Sequence, residues 1–260
     1  MPLAREGLRE MSVCTIVLGG GAALCAWGAI TVSPFWWIFA APFFAVWVFT
    51  IAFFRDPERA IPIEPGIMVA PADGKITEVT RLDSCEGIDG PAIRISIFLS
   101  IFDVHINRAP CAGRVVRTDY RAGEFLDARH PECGIRNESN TIIMELGDVD
   151  SNGSNNGSTG TLSSSEKGRR PIIVRQVAGL IARRIICNVR GDDVLSRGQR
   201  LGLIKFGSRT DLILSANMGL EPVVKVNDMV VGGETVLLRP IGARREPSGR
   251  EIPEESHVAH

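Results

Sequence analysis

No charged residue lies between Glu10 and Arg55. One bilayer crossing takes roughly 20 residues, so a run of this length holds two helices rather than one. Ser33-Pro34 sits near its middle, where proline starts a helix well and interrupts one badly. The pattern predicts a membrane hairpin with helices over 12–32 and 35–54, forming an N-terminal unit of residues 1–54. Trp36, Trp37 and Trp47 read as interfacial or packing aromatics. A signal peptide would carry a shorter apolar core and a small-residue cleavage site, whereas here a second apolar helix follows directly. Arg5 and Arg9 flank the first helix and Arg55 and Arg59 the second, while the turn between them carries no positive charge. That asymmetry places both ends, and the rest of the chain, on the cytoplasmic side of the cell (inner) membrane. A re-entrant hairpin that dips into one leaflet would give the same sidedness.

Residues 55–260 form the second unit. Short β-branched runs dominate it: 66–70, 74–80, 92–99, 113–117, 140–145, 172–177, 184–188 and 212–215. Glycine, proline and aspartate punctuate them closely, which predicts a β-rich (α+β) domain with antiparallel pairing. Only 179–184 and parts of 120–130 have a helical option. Residues 148–170 contain almost nothing to bury and read as a surface insertion. A weak internal repeat relates Val189–Leu203 to Val224–Leu238, with Val, Asp and Gly recurring in register. Each copy resembles the hammerhead of biotinyl and lipoyl carrier domains. Those domains modify a lysine at a hairpin tip, but between the two copies here stands Gly207-Ser208, read as the hairpin tip.

The chain has 29 basic and 30 acidic side chains, a net charge of -1, so it lacks the positive field of a nucleic-acid binder. Cys14, Cys25, Cys85, Cys111, Cys133 and Cys187 show no metal-ligand spacing and read as free thiols in a reducing compartment. No metal is expected.

Three stretches carry chemistry. Phe206-Gly207-Ser208-Arg209-Thr210-Asp211 lies between two apolar runs. Alone it is an ordinary tight turn, but a glycine admits strained backbone and close approach to its carbonyl, and a serine hydroxyl attacks such a carbonyl once a base takes its proton. Pro71-Ala72-Asp73-Gly74 supplies a carboxylate, although a plain turn aspartate would look the same. Phe98-Leu99-Ser100-Ile101-Phe102-Asp103-Val104-His105-Ile106-Asn107-Arg108 supplies an imidazole, and His105 is one of only four histidines. A satisfied structural histidine is the alternative reading.

Together with Phe54-Arg55-Asp56-Pro57 and Arg136-Asn137-Glu138, these stretches resemble the phosphatidylserine decarboxylases, specifically the short bacterial form with a membrane hairpin. The resemblance covers residues 30 to 240. It implies self-cleavage between Gly207 and Ser208 into chains 1–207 and 208–260, which stay together as a heterodimer; a higher homo-oligomer is left open. It implies that Ser208 becomes a covalent pyruvoyl group, with no pyridoxal phosphate and no metal, which condenses with the amine of phosphatidylserine to give phosphatidylethanolamine and carbon dioxide. Under it Ser208, His105 and Asp73 are the catalytic residues, His105 as base and later acid, Asp73 orienting the imidazole. Longer members have Leu-Gly-Ser-Thr at the cleavage point and a second histidine three positions after the first, where this chain has Arg108. His105 is then the nearby base, with Asp103 or a water held by Asp73 next in line. Arg55, Arg59 and Arg209 are candidate head-group phosphate contacts. Two other readings stand beside this one: a non-catalytic, membrane-anchored lipoyl-like adaptor, and a pyruvoyl decarboxylase of another seryl lipid.

Overall fold

The computed structural model describes residues 2–147, 170–180, 184–205 and 207–242. The insertion expected at 148–170 falls almost wholly outside the described residues, as do Phe206 and positions 181–183 of the helical option at 179–184. The other helical option, in 120–130, is not taken: strand runs to Arg121 and irregular chain follows, with a single helical turn further on at α4 (Cys133–Arg136).

The apolar run folds as two antiparallel helical rods. The first comprises α1 (Leu8–Cys14), a π-helical turn Thr15–Gly19 and α2 (Gly20–Thr31), so it begins four residues before the expected 12. Ser33 accepts a hydrogen bond from the Phe35 amide, and Pro34 opens the 3-10 turn that leads into α3 (Trp37–Phe53). Both rods are long and apolar enough to cross a bilayer. Glycines on the first face aromatics on the second: Gly19 lies against Trp47, Gly21 against Phe43 and Gly28 against Trp36. Small residues let the backbones approach, as in membrane helix pairs, and Trp47 Nε1 donates to Thr15 Oγ1 at 3.1 Å.

Among the described residues the second unit has strands β1 (Met68–Val69), β2 (Gly74–Leu82), β3 (Ala92–Leu99), β4 (Ile106–Arg108), β5 (Gly113–Arg121), β6 (Ser139–Leu146), β7 (Pro171–Val177), β8 (Ile185–Cys187), β9 (Val194–Leu195), β10 (Arg200–Ile204), β11 (Ser208–Ser215), β12 (Leu220–Pro222), β13 (Met229–Val230) and β14 (Val236–Pro240). An eight-stranded sheet runs β13-β2-β3-β11-β7-β6-β5-β9, and two three-stranded sheets run β1-β14-β12 and β4-β10-β8. Every pairing between these strands is antiparallel. Ile76, Ile95, Ile97, Leu99, Ile142, Met144, Ile172, Val174, Leu212 and Leu214 line the main core. Each such side chain contributes roughly 1.5–3 kcal/mol when fully buried.

The repeat seen in the sequence is the visible end of a larger one. Exchanging β1, β2, β3, β11, β12, β13 and β14 for β4, β5, β6, β7, β8, β9 and β10 leaves the order of every sheet unchanged. The details match as well. β2 is bulged between Ile76 and Glu78, β5 between Val115 and Arg117. The Asn227 amide donates to Ile76 O and the Asp192 amide to Val115 O, and both residues have positive φ. The second copy, β4–β10, is inserted between β3 and β11 of the first.

This corrects the reading of Gly207-Ser208 as a hairpin tip. Ser208 opens β11, which pairs with β3 and β7, while β10 belongs to another sheet. Gly207-Ser208 is the crossing point at which the chain returns from the inserted copy to the first.

Candidate active site

On β11 the even positions face the main core with Leu212 and Leu214, and Ile213 packs on the opposite side in a separate cluster. Ser208 and Thr210 share the core-facing side, but at their end of the sheet the lining becomes polar. Thr210, Gln176 and Asn140 stand opposite one another across β11, β7 and β6. Asn140 Nδ2 donates to Gln176 Oε1 at 3.0 Å, Gln176 Nε2 to Asn107 Oδ1 at 2.8 Å, and Asn107 Nδ2 to Thr210 Oγ1 at 3.0 Å. All four are buried. This chain of side-chain hydrogen bonds, ending on Thr210, fixes these strands against one another, because any missing member would leave a buried polar group unpaired.

Ser208 lies beyond this row, opposite Leu99 of β3 and fully buried, and its Oγ has no hydrogen-bond partner among the described residues. A buried hydroxyl without a partner is costly. Gly207 has φ +59°, the left-handed region that glycine adopts without strain. Its carbonyl oxygen is packed onto Gly179, where an added Cβ would stand 2.0 Å away.

His105 arrives just before β4. Its Nδ1 meets the Asp103 carbonyl at 2.9 Å, and its Nε2 accepts the Gly207 amide at 3.3 Å. Those partners select the neutral tautomer, with hydrogen on Nδ1 and a lone pair on Nε2. The ring is fully buried against Phe53, centroids 4.3 Å apart. Burial pushes its pKa down to about 4, only partly offset by the Asp103 carbonyl, with Arg55 pushing further down. His105 is therefore an unprotonated base at neutral pH. The 100–103 turn is closed by Ser100 N to Asp103 Oδ2 at 2.7 Å and Asp103 N to Ser100 O at 2.9 Å.

Asp73 makes its bonds elsewhere. It accepts from Arg59 Nη2 at 2.6 Å and from the Gly232 amide at 2.7 Å, and burial raises its pKa despite both. Orientation of the His105 ring falls to the Asp103 carbonyl. Arg108, at the place of the long members' second histidine, is a structural tie: it donates to Asp56 Oδ1, Pro57 O and Gly198 O at 3.0–3.1 Å. Among the candidate phosphate contacts, Arg209 is buried with Asp211, Ser96 and Glu78, and Arg59 is held by Asp73; Arg55 donates to the carbonyls of Ala52 and Phe102. Sequence reasoning missed Gly179 and the polar row of Asn107, Gln176, Asn140 and Thr210, because only the fold packs Gly179 on the Gly207 carbonyl and only strand pairing assembles the row.

The segment before the hairpin is also part of this end of the molecule. Ala4 N donates to Phe54 O at 2.8 Å and Asp56 N to Pro2 O at 2.9 Å, Asn188 donates to Glu6, and Lys205 Nζ meets Glu10 at 2.6 Å. Both ends of the hairpin thus return to the same side.

The curled antiparallel double-hammerhead domain brings half-buried Gly207, buried Ser208 and the neutral His105 together at its crossing point, the class of arrangement in which a chain can act on its own backbone. The family model described as phosphatidylserine decarboxylase matches residues 47–238. The phosphatidylserine decarboxylase proenzyme of Rhodopirellula baltica is 38% identical over 92% of this chain and 88% of its own. Those of Gluconacetobacter diazotrophicus and Geotalea uraniireducens are 40% and 38% identical, over 86% and 91% of this chain and 90% and 95% of theirs. The chain belongs to the phosphatidylserine decarboxylase family, and the adaptor reading gives way to that of a decarboxylase.

Proposed function

We propose that this chain is a proenzyme that cuts itself between Gly207 and Ser208 and then decarboxylates phosphatidylserine at the surface of the bilayer holding its hairpin. The observation that carries this reading is the unpartnered, buried Ser208 Oγ beside a glycine carbonyl, with the lone pair of His105 Nε2 one peptide away. Processing starts when Nε2 takes the Ser208 hydroxyl proton. The oxygen bonds to the Gly207 carbonyl carbon, and the bond from that carbon to the Ser208 nitrogen breaks as the nitrogen accepts the proton back, leaving an ester. Loss of the Ser208 α proton then expels the Gly207 carboxylate and forms a carbon–carbon double bond. Water replaces the nitrogen, ammonia leaves, and a pyruvoyl group caps residue 208.

The residues present fit that group, since Ser208 is fully buried and its Oγ is tied up by no partner among the described residues. When formed, the pyruvoyl carbonyl supplies an electron sink for the carbon losing carbon dioxide, the work pyridoxal phosphate does elsewhere. His105 Nε2, unprotonated at rest, takes a proton from the incoming substrate ammonium and returns it to the substrate's α carbon after carbon dioxide leaves. Asp73 serves from the periphery, fastening Arg59 and Gly232 at the end of β2 that pairs with β3.

The chain following the cut, 208–260, begins with a strand inserted between β3 and β7. Ladders on both sides support its retention beside chain 1–207. Arg9 and Arg55 near the two ends of the hairpin support a cytoplasmic position for the domain. The test is intact mass of the purified protein together with conversion of labelled phosphatidylserine. Two fragments, the second lacking its amino group, and an ethanolamine lipid product are expected; one uncut, active polypeptide refutes the reading.

A further inference from the structure

Two exposed apolar side chains flank the cleavage site. Ile101 stands over Gly207, its Cγ2 3.9 Å from where a Cβ would be, and the next residue, Phe102, is 69% exposed. On the other side Gly179 packs on the Gly207 carbonyl, and the next residue, Leu180, is 64% exposed. Phe102 is not presented by a loose loop, because the 100–103 turn is closed by its own hydrogen bonds. The exposed ring of Phe102 therefore keeps a fixed place on the rim of the site.

The occupant is indicated by what Phe102 already touches. Its ring packs edge-on to Phe49 of α3, centroids 6.1 Å apart. Phe49 lies four residues before the end of α3, roughly 6 Å along the axis from it, the depth at which amphipathic elements seat at the headgroup boundary. Arg55 donates to the Phe102 carbonyl at 2.5 Å, placing a cation at the headgroup level of the same rim.

We propose that Phe102 and Leu180 dip into the bilayer surface on either side of Gly207-Ser208, so that the rim of the site is sealed by lipid. Through its contact with Phe49, Phe102 continues the apolar surface of α3. A two-chain lipid then reaches residue 208 by moving within its leaflet, without its acyl chains crossing water. This inference rests on the reading of Ser208 as the reacting residue.

The test places p-cyanophenylalanine at position 102 of the full-length protein in phosphatidylcholine vesicles containing phosphatidylserine. A nitrile stretch at its apolar frequency is expected at 102, and a water-like one at Tyr120, an exposed position on β5. In parallel, Phe102→Ser should lower the ratio of turnover on vesicle phosphatidylserine to turnover on short-chain, monomeric phosphatidylserine about tenfold, with Phe102→Leu restoring it. A water-like nitrile at 102, or an equal loss on both substrates, overturns the proposal. If instead the protein stays uncut or ignores both substrates, the Ser208 reading fails, and the nitrile frequency still decides the membrane contact.

Discussion

The Gly207 amide points at Nε2 of His105, 3.3 Å away, and that contact reaches across 102 residues of sequence to the peptide preceding the scissile bond. It ties the imidazole to the residue before Ser208, whose own hydroxyl has no partner among the described residues.

Ser208→Ala removes the attacking oxygen while leaving the strand register intact. It should give a single 28.2 kDa chain with no decarboxylase activity, read by denaturing gel and intact mass. Cleavage of this variant at the normal rate would falsify the mechanism.

His105→Ala should slow processing about 10²–10⁴-fold, the range typical of a lost general base. Because burial depresses the folded pKa from 6.5 to about 4, the neutral ring favours the folded state above 6.5. That advantage, about 3 kcal/mol, is lost as pH falls from 6.5 through 4. Processing should therefore stay level from pH 8 to 6 and decline toward 4. A midpoint near 6.5, in processing or in an NMR titration of the Ser208→Ala variant, would contradict the buried geometry.

Gly179→Ala puts a methyl group onto the Gly207 carbonyl, 2.0 Å from its oxygen. Real Cβ contacts never come so close, so the carbonyl must move. Processing is expected to fall more than tenfold, since misplacing a reacting group by about 1 Å costs on the order of 10²-fold. Circular dichroism should show the same β content. Normal processing would mean that the carbonyl position is not critical.

Lys205 has a mostly buried side chain, paired with Glu10 and lying over the Phe54 ring at 5.7 Å. Glu10→Gln leaves the lysine uncompensated and should cost about 1–2 kcal/mol, visible as a lower Tm in detergent. Adding Lys205→Met should recover part of the loss. Additive losses would show that the pair is not coupled.

The expected strands were legible wherever β-branched residues alternate with turn residues, and 92–99 was found to the residue. The start of β11 was not, because Ser208-Arg209-Thr210-Asp211 has no apolar pattern. Its burial comes from ionic and amide partners on other strands, among them Arg209 with Ser96 and Thr210 with Asn107. The same blindness hid the larger duplication. Only hydrogen-bond order and matching bulges expose it, while the side chains of the early strands have diverged. Gly207 and Ser208 were identified from their motif, but their setting was misjudged, since a glycine-serine pair reads alike at a hairpin tip and at a crossing between sheets.

The sequence alone determined, without any fold, that an uncharged hairpin precedes a β-rich domain and, through the order of its motifs, that Gly207, Ser208, His105 and Asp73 are the groups to examine, because helix length, residue pattern and functional-group chemistry are properties of the chain itself. The partner of His105 Nδ1, the removal of Asp73 to Arg59, the tie of Arg108 to Asp56 and the docking of residues 2–10 were decided by tertiary structure alone. Which donor meets which acceptor depends on distances between strands far apart in sequence, and packing of the duplicated halves sets those distances.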